Sequence, residues 1–156
     1  MNVRMLIGAL PLTIVLSCGQ SGQQEHHEEA ATGSKATSDS IYNIVMEDHN
    51  VAMAKMGKLV KYQELCANAS DSITSLLKKN RDPELLVRKI ELDSLRILLR
   101  GAEKSMNQWM EHFEPDSAGT TEESKLKYYN AEMEKVGPIK DNILSLLSHA
   151  DSILNK

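Results

Sequence analysis

Three observations predict an all-α fold for this 156-residue chain: a three-helix antiparallel (up-down-up) coiled-coil-like bundle behind a non-periodic N-terminal stretch. Apolar residues recur at heptad spacing through three long stretches, as helices packed along a seam require. Two short interruptions rich in turn and cap residues separate those stretches, and short connections between long helices favour antiparallel neighbours. Aromatic residues make up only 4% of the chain, which leaves a sheet little to build on.

The first helix is expected over about residues 39–79. Ser38-Asp39-Ser40 is good N-cap material just before Ile41. One seam position takes Tyr42, His49, Met56, Gln63, Ser70 and Leu77, and the other takes Val45, Ala52, Leu59, Cys66 and Ile73. Unbroken, this helix would span about 60 Å at a rise of 1.5 Å per residue. The polar run Asn68-Ala69-Ser70-Asp71-Ser72 is the place where it is expected to bend or break.

The second helix, over about residues 83–113, restarts on Asp82-Pro83-Glu84, with Asp as N-cap, Pro at the first helical position and Glu in the first turn. Its seam carries Leu85, Leu92, Leu99, Met106 and Phe113, with Leu95, Ala102 and Trp109 between them. Glu114-Pro115-Asp116-Ser117-Ala118-Gly119 reads as a loop. The third helix is expected over about residues 121–155, opened by a capping box of Thr120 and Glu123. Leu126, Tyr129, Met133, Val136, Ile143, Leu147, Ala150 and Leu154 make its seam, and Gly137-Pro138 predicts an interruption or kink. Gln63, Ser70 and Lys140 fall on nominal seam positions, where polar residues set register more often than they form a site.

Residues 1–37 do not share this periodicity. Arg4 is the only charge among the first twenty residues, and an apolar run from Met5 to Leu16 follows it. The run is too short for a transmembrane helix and has the layout of a secretory signal. It ends on Val15-Leu16-Ser17-Cys18, the pattern of the lipobox of bacterial lipoproteins. The expected organisation is a signal peptide over residues 1–17, a lipidated Cys18 with a flexible tether over 18–37, and a helical bundle over 38–156. An ordinary signal peptide with an incidental cysteine is the alternative. Lipidation would place the domain outside the cytoplasm, in the cell envelope, tied to a bacterial membrane by acyl chains. From Gly19 to Thr37 the chain is polar and without apolar period, and a flexible stretch of that length reaches about 25 Å. Glu25-His26-His27-Glu28-Glu29 lies within it; without a scaffold it reads as a solvated linker and not as a metal site.

Charge and cysteine usage narrow the function. A formal charge of −4 without clustered Lys and Arg argues against nucleic acid as a partner. With Cys18 acylated, Cys66 has no disulfide partner and reads as a buried, inert thiol. No nucleophile elbow, phosphate loop, HExxH pair or clustered acid and base is present, so the expectation is a protein that is not an enzyme, with no cofactor. The partners it implies are the membrane, through Cys18, and a protein or a second copy, through the helices.

One cluster stands out. Met46, His49, Met53 and Met56 are spaced three, four and three apart on one helical face. In an antiparallel hairpin, where residue numbers facing one another sum to about 163, this face meets Met106, Trp109 and Met110. Three readings fit: Met and His as ordinary core filling around Trp109; Met46, His49, Met53, Met56, Met106 and Met110 as a soft-metal site for Cu(I); or a Met-lined groove for an apolar ligand or a helix. The pieces Met46-x-x-His49-x-x-x-Met53-x-x-Met56-Gly57 and Met106-x-x-Trp109-Met110-x-x-Phe113, behind a lipobox, resemble a group of small bacterial helical lipoproteins often labelled "viral A-type inclusion protein". The resemblance spans Ile41 to Leu154 and implies a helical lipoprotein without established catalytic residues.

Overall fold

A computed structural model describes residues 36–155. The expected signal peptide, Cys18 and all but the end of the expected tether lie outside the described residues. Three α-helices and one short 3₁₀ turn follow one another: α1 (Ser38–Leu77), α2 (Pro83–His112), the 3₁₀ turn (Pro115–Ala118) and α3 (Glu122–Leu154). Each boundary falls within two residues of its expected place.

Side-chain pairs give the topology. Ser70 on α1 donates to Asp93 on α2 at 2.6 Å, in the expected hairpin register, and Gln63 donates to Glu103 at 2.8 Å. Higher sequence numbers on α1 thus meet lower ones on α2, so the two run antiparallel. Lys140 pairs with Asp48 at 2.7 Å and Lys58 with Asp151 at 2.8 Å, so α3 runs parallel to α1. Among the described residues the fold is an up-down-up three-helix bundle. No described helix is long and apolar enough to cross a membrane.

The core follows the heptads. Val45, Ala52, Leu59, Cys66 and Ile73 of α1 are all buried, against Leu92, Leu95, Leu99, Ala102, Met106 and Trp109 of α2 and Val136, Ile143, Leu147, Ala150 and Ile153 of α3. The other α1 seam lies on the flank of the core: Tyr42, His49, Met56, Gln63 and Leu77 are half-buried there. The three polar residues on seam positions, Gln63, Ser70 and Lys140, each bond to a neighbouring helix.

Three local expectations need correction. The run Asn68–Ser72 does not break α1, which continues for 40 residues. Its two hydroxyls are satisfied, Ser72 donating to the Asn68 carbonyl within the helix and Ser70 to Asp93 on α2, and just beyond the run Thr74 and Ser75 donate back to the Ser70 and Asp71 carbonyls. Likewise α3 continues through Gly137-Pro138. Pro138 and Glu134 are exposed, so the hydrogen bond that proline removes lies on the solvent side. Finally, the caps move. Thr37 caps α1 with Ser40 in a reciprocal capping box, and Thr121, one residue later than expected, caps α3 by accepting from the Ser124 amide. Gly119 explains the shift on α3: its φ is +80°, and a Cβ there would lie 2.7 Å from the Ser124 hydroxyl oxygen.

The new cap positions tie two helix starts together. Ser38, freed from capping, is buried, and its amide and hydroxyl both donate to the Glu122 carboxylate, at 2.6 and 2.7 Å. These two donors, the amide first, hold the Glu122 carboxyl below the usual carboxylate range. Lys89 and Ser70 do the same for Asp93, and Lys58 and Tyr62 for Asp151. A carboxyl whose folded pKa is depressed resists protonation more than in the unfolded chain. Its stabilisation is therefore present above the unfolded value and disappears as pH falls through the folded one. We expect thermal stability to drop on acidification below the ordinary carboxylate range. The drop should be smaller in Glu122→Gln, and circular-dichroism melts across the acidic range measure both.

Candidate functional site

Among the described residues, the end of the bundle that holds the α1 and α3 N-termini gathers most of the soft and aromatic side chains. Helix α1 brings Tyr42, Met46, His49, Met53 and Met56; α2 brings Met106, Trp109, Met110 and Phe113; α3 brings Tyr128, Tyr129 and Glu132. The rings form a continuous chain. His49 lies 5.6 Å from Trp109 between centroids, Trp109 stacks on Phe113 at 4.7 Å, and Phe113 stacks on Tyr128 at 6.3 Å. Tyr128 meets Tyr129 edge-on at 5.4 Å, and Tyr129 meets Tyr42 at 5.2 Å. Such offset and edge contacts add to burial energy because ring edges and faces carry opposite partial charge.

The structure divides the expected methionine and histidine cluster. His49 Nε2 lies 3.3 Å from Met110 Sδ, and its Nδ1 lies 3.2 Å from Asn50 Oδ1. A neutral imidazole donates from one nitrogen only. In the tautomer that donates from Nδ1 to Asn50, Nε2 turns its lone pair towards the thioether. Met106 is fully buried in the core, and Met56 and Met110 pack against it half-buried. Met46 is half-buried, and Met53 is 37% exposed. The polar group that α1 sets against the Met110 sulfur is thus His49. Cys66 is free and buried, and burial pushes its thiol pKa up, as an inert core thiol requires.

Glu132 is the residue that sequence reasoning missed. It is buried, accepts the Trp109 indole N–H at 2.9 Å on one oxygen, and pairs with Lys135 at 2.7 Å through the other. The signal was present: Glu132 lies three residues after Tyr129 and four before Val136, on the apolar face of α3. Its two partners satisfy the buried charge and orient the indole. Beside it, Trp109, His112, Glu132 and Lys135 border an open groove between α2 and α3 of about 600 Å³. Among the described residues no three His, Cys, Asp or Glu side chains converge as a metal site.

No known family model, curated protein or solved structure matches the chain. The geometry of this end therefore carries the chemical reading alone. Trp109→Phe removes the donor to the buried Glu132 carboxylate and keeps most of the ring packing. We expect a loss of about 1–3 kcal/mol in urea unfolding, the cost of leaving a buried charged acceptor one bond short.

Proposed function

We propose that this chain is a bacterial lipoprotein, held in the cell envelope by acyl chains on Cys18, whose extracytoplasmic helical domain is a non-enzymatic interaction module. The observation that carries the reading is Val15-Leu16-Ser17-Cys18 at the end of the Met5–Leu16 apolar run. Several acyl chains on one cysteine anchor a protein stably, at about 0.8 kcal/mol per buried methylene. The likeness to small helical lipoproteins supports the same assignment. In cells fed radiolabelled palmitate, the chain should carry label and sediment with membranes, whereas Cys18→Ala should lose the label and become extractable with the soluble fraction. An unlabelled native chain would remove the assignment.

The pairing of His49 with Met110 favours a second reading, a Cu(I) site. Imidazole nitrogen and thioether sulfur are both soft enough for Cu(I), and here they face each other at 3.3 Å. Met46 and Met53 flank His49 on the same face of α1, while Met56 and Met106 belong to the packed core. Trp109, next to His49, reports on the site. Titration of the chain with Cu(I) against a competing chelator should quench Trp109 fluorescence with an affinity tighter than micromolar, and His49→Leu with Met110→Leu should abolish it while helical content is kept. Weaker binding, or binding unaffected by those substitutions, leaves the cluster as packing.

A further inference from the structure

Helix α2 is apolar on two sides. One side supplies the core; on the other, Leu86, Val87, Ile90, Ile97 and Leu98 are at least half exposed, Val87 at 67% and Ile97 at 70%. At 3.6 residues per turn these five, with Pro83, exposed Ser94 and exposed Gly101, fall within about 120° of the helix circumference. A helix with only one packed face has no need of such a stripe. The five aliphatic side chains expose on the order of 500 Å², the upper end of what a monomer leaves to water.

The charges beside the stripe are unequal in their engagement. Asp93 is held by Lys89 and Ser70, Glu91 by Arg88, and Glu103 accepts from Gln63 on α1. Arg96, Arg100 and Lys104 form a row spaced four apart along the stripe's edge, and none of them makes an ion pair among the described residues. Aliphatic side chains bordered by unpaired cations match the interface of an anionic bilayer, where the chains enter the acyl boundary and the cations meet phosphates.

We propose that this face of α2 lies against an anionic phospholipid surface, so that the bundle rests on its side on the membrane. The inference takes its source of proximity from the Cys18 anchor proposed above. Two arguments favour the bilayer over a second copy. A stable protein interface buries about 800 Å² on each partner, more than the stripe offers. In addition, a chain anchored at Cys18 confines the stripe, which lies towards the end of the bundle away from Thr37, to within about the bundle's length of the bilayer, so a weak surface interaction suffices once the bundle lies on its side.

The test uses tryptophan quenching by brominated lipid, with buried Trp109 as a constant background. Ile97→Trp reports from the stripe and Val60→Trp from an exposed position on α1. The full chain is placed in vesicles of phosphatidylethanolamine and phosphatidylglycerol in two forms: as isolated from membranes, and coupled through Cys18 to a maleimide lipid. We expect several-fold stronger quenching at position 97 than at 60, lost in vesicles of phosphatidylcholine alone and in Arg96→Glu with Arg100→Glu. Equal quenching at the two positions, or none, overturns the proposal. So does a signal at position 97 that tracks protein density and ignores lipid charge, which would assign the stripe to a second copy. Quenching in the coupled chain with no native acyl group on Cys18 keeps the stripe and removes the anchor; a native acyl group without quenching does the reverse.

Discussion

Val45, Ala52, Leu59, Cys66 and Ile73 stand seven residues apart on α1 and enter the space between α2 and α3. Both other helices pack on this one line. In a bundle of three, the helix that shares its seam with two neighbours sets their separation, and small residues at Ala52 and Cys66 alternate with larger ones at Val45, Leu59 and Ile73. The same alternation recurs on the facing helices, where Ala102 and Ala150 sit among leucines and isoleucines. Close packing of unlike sizes lets three helices interdigitate without voids, which is where the stability of a chain with no disulfide among its described residues must come from.

A heptad seam alone does not define one alignment, because sliding a helix by seven residues restores a similar apolar match. Polar ties at specific heights remove that freedom. Ser70 with Asp93 and Gln63 with Glu103 align α1 with α2; Asp48 with Lys140 and Lys58 with Asp151 align α1 with α3; Trp109 with Glu132 aligns α2 with α3. The Asp48–Lys140 pair lies over Gly137, where the nearest side-chain oxygen is 3.4 Å from the position a Cβ would take. At the end that holds the α1 N-terminus, Glu122 accepts from both polar groups of Ser38 and holds the first turn of α1 beside the first turn of α3. Where a pair holds a buried group, as at Ser38, Ser70 and Glu132, a slipped alignment would leave that group without its partner, a larger penalty than the gain from the bond itself.

The two ends and faces of the bundle are therefore unequal. One end concentrates rings, thioethers and an imidazole, with the indole of Trp109 fixed by a buried carboxylate. Along the side, α2 shows water an aliphatic stripe that its packing does not use. These features occupy different places in the fold, the first around residues 42–56, 106–113 and 128–132, and the second between Pro83 and Gly101.

Much of this architecture was legible in the chain itself, because helix period, caps and breakers are local. Asp82-Pro83-Glu84 starts α2 as read, with the Asp82 carboxylate accepting from the Glu84 amide at 2.9 Å, and the buried seam of α1 is the heptad series Val45 to Ile73. Where local signals tied, tertiary structure decided. Thr120 and Thr121 offer equivalent hydroxyls, and the backbone at Gly119 and the pull of Ser38 on Glu122 select the second. Periodicity placed His49 and Met53 on one face; the packing of α1 on α2 sets His49 against Met110, while Met53 is 37% exposed. It also hid Glu132, whose charge is tolerable inside only because Trp109 and Lys135 arrive from either side. A sequence determines the period of a helix and where it starts and stops; which side of it meets which neighbour is a property of three helices together.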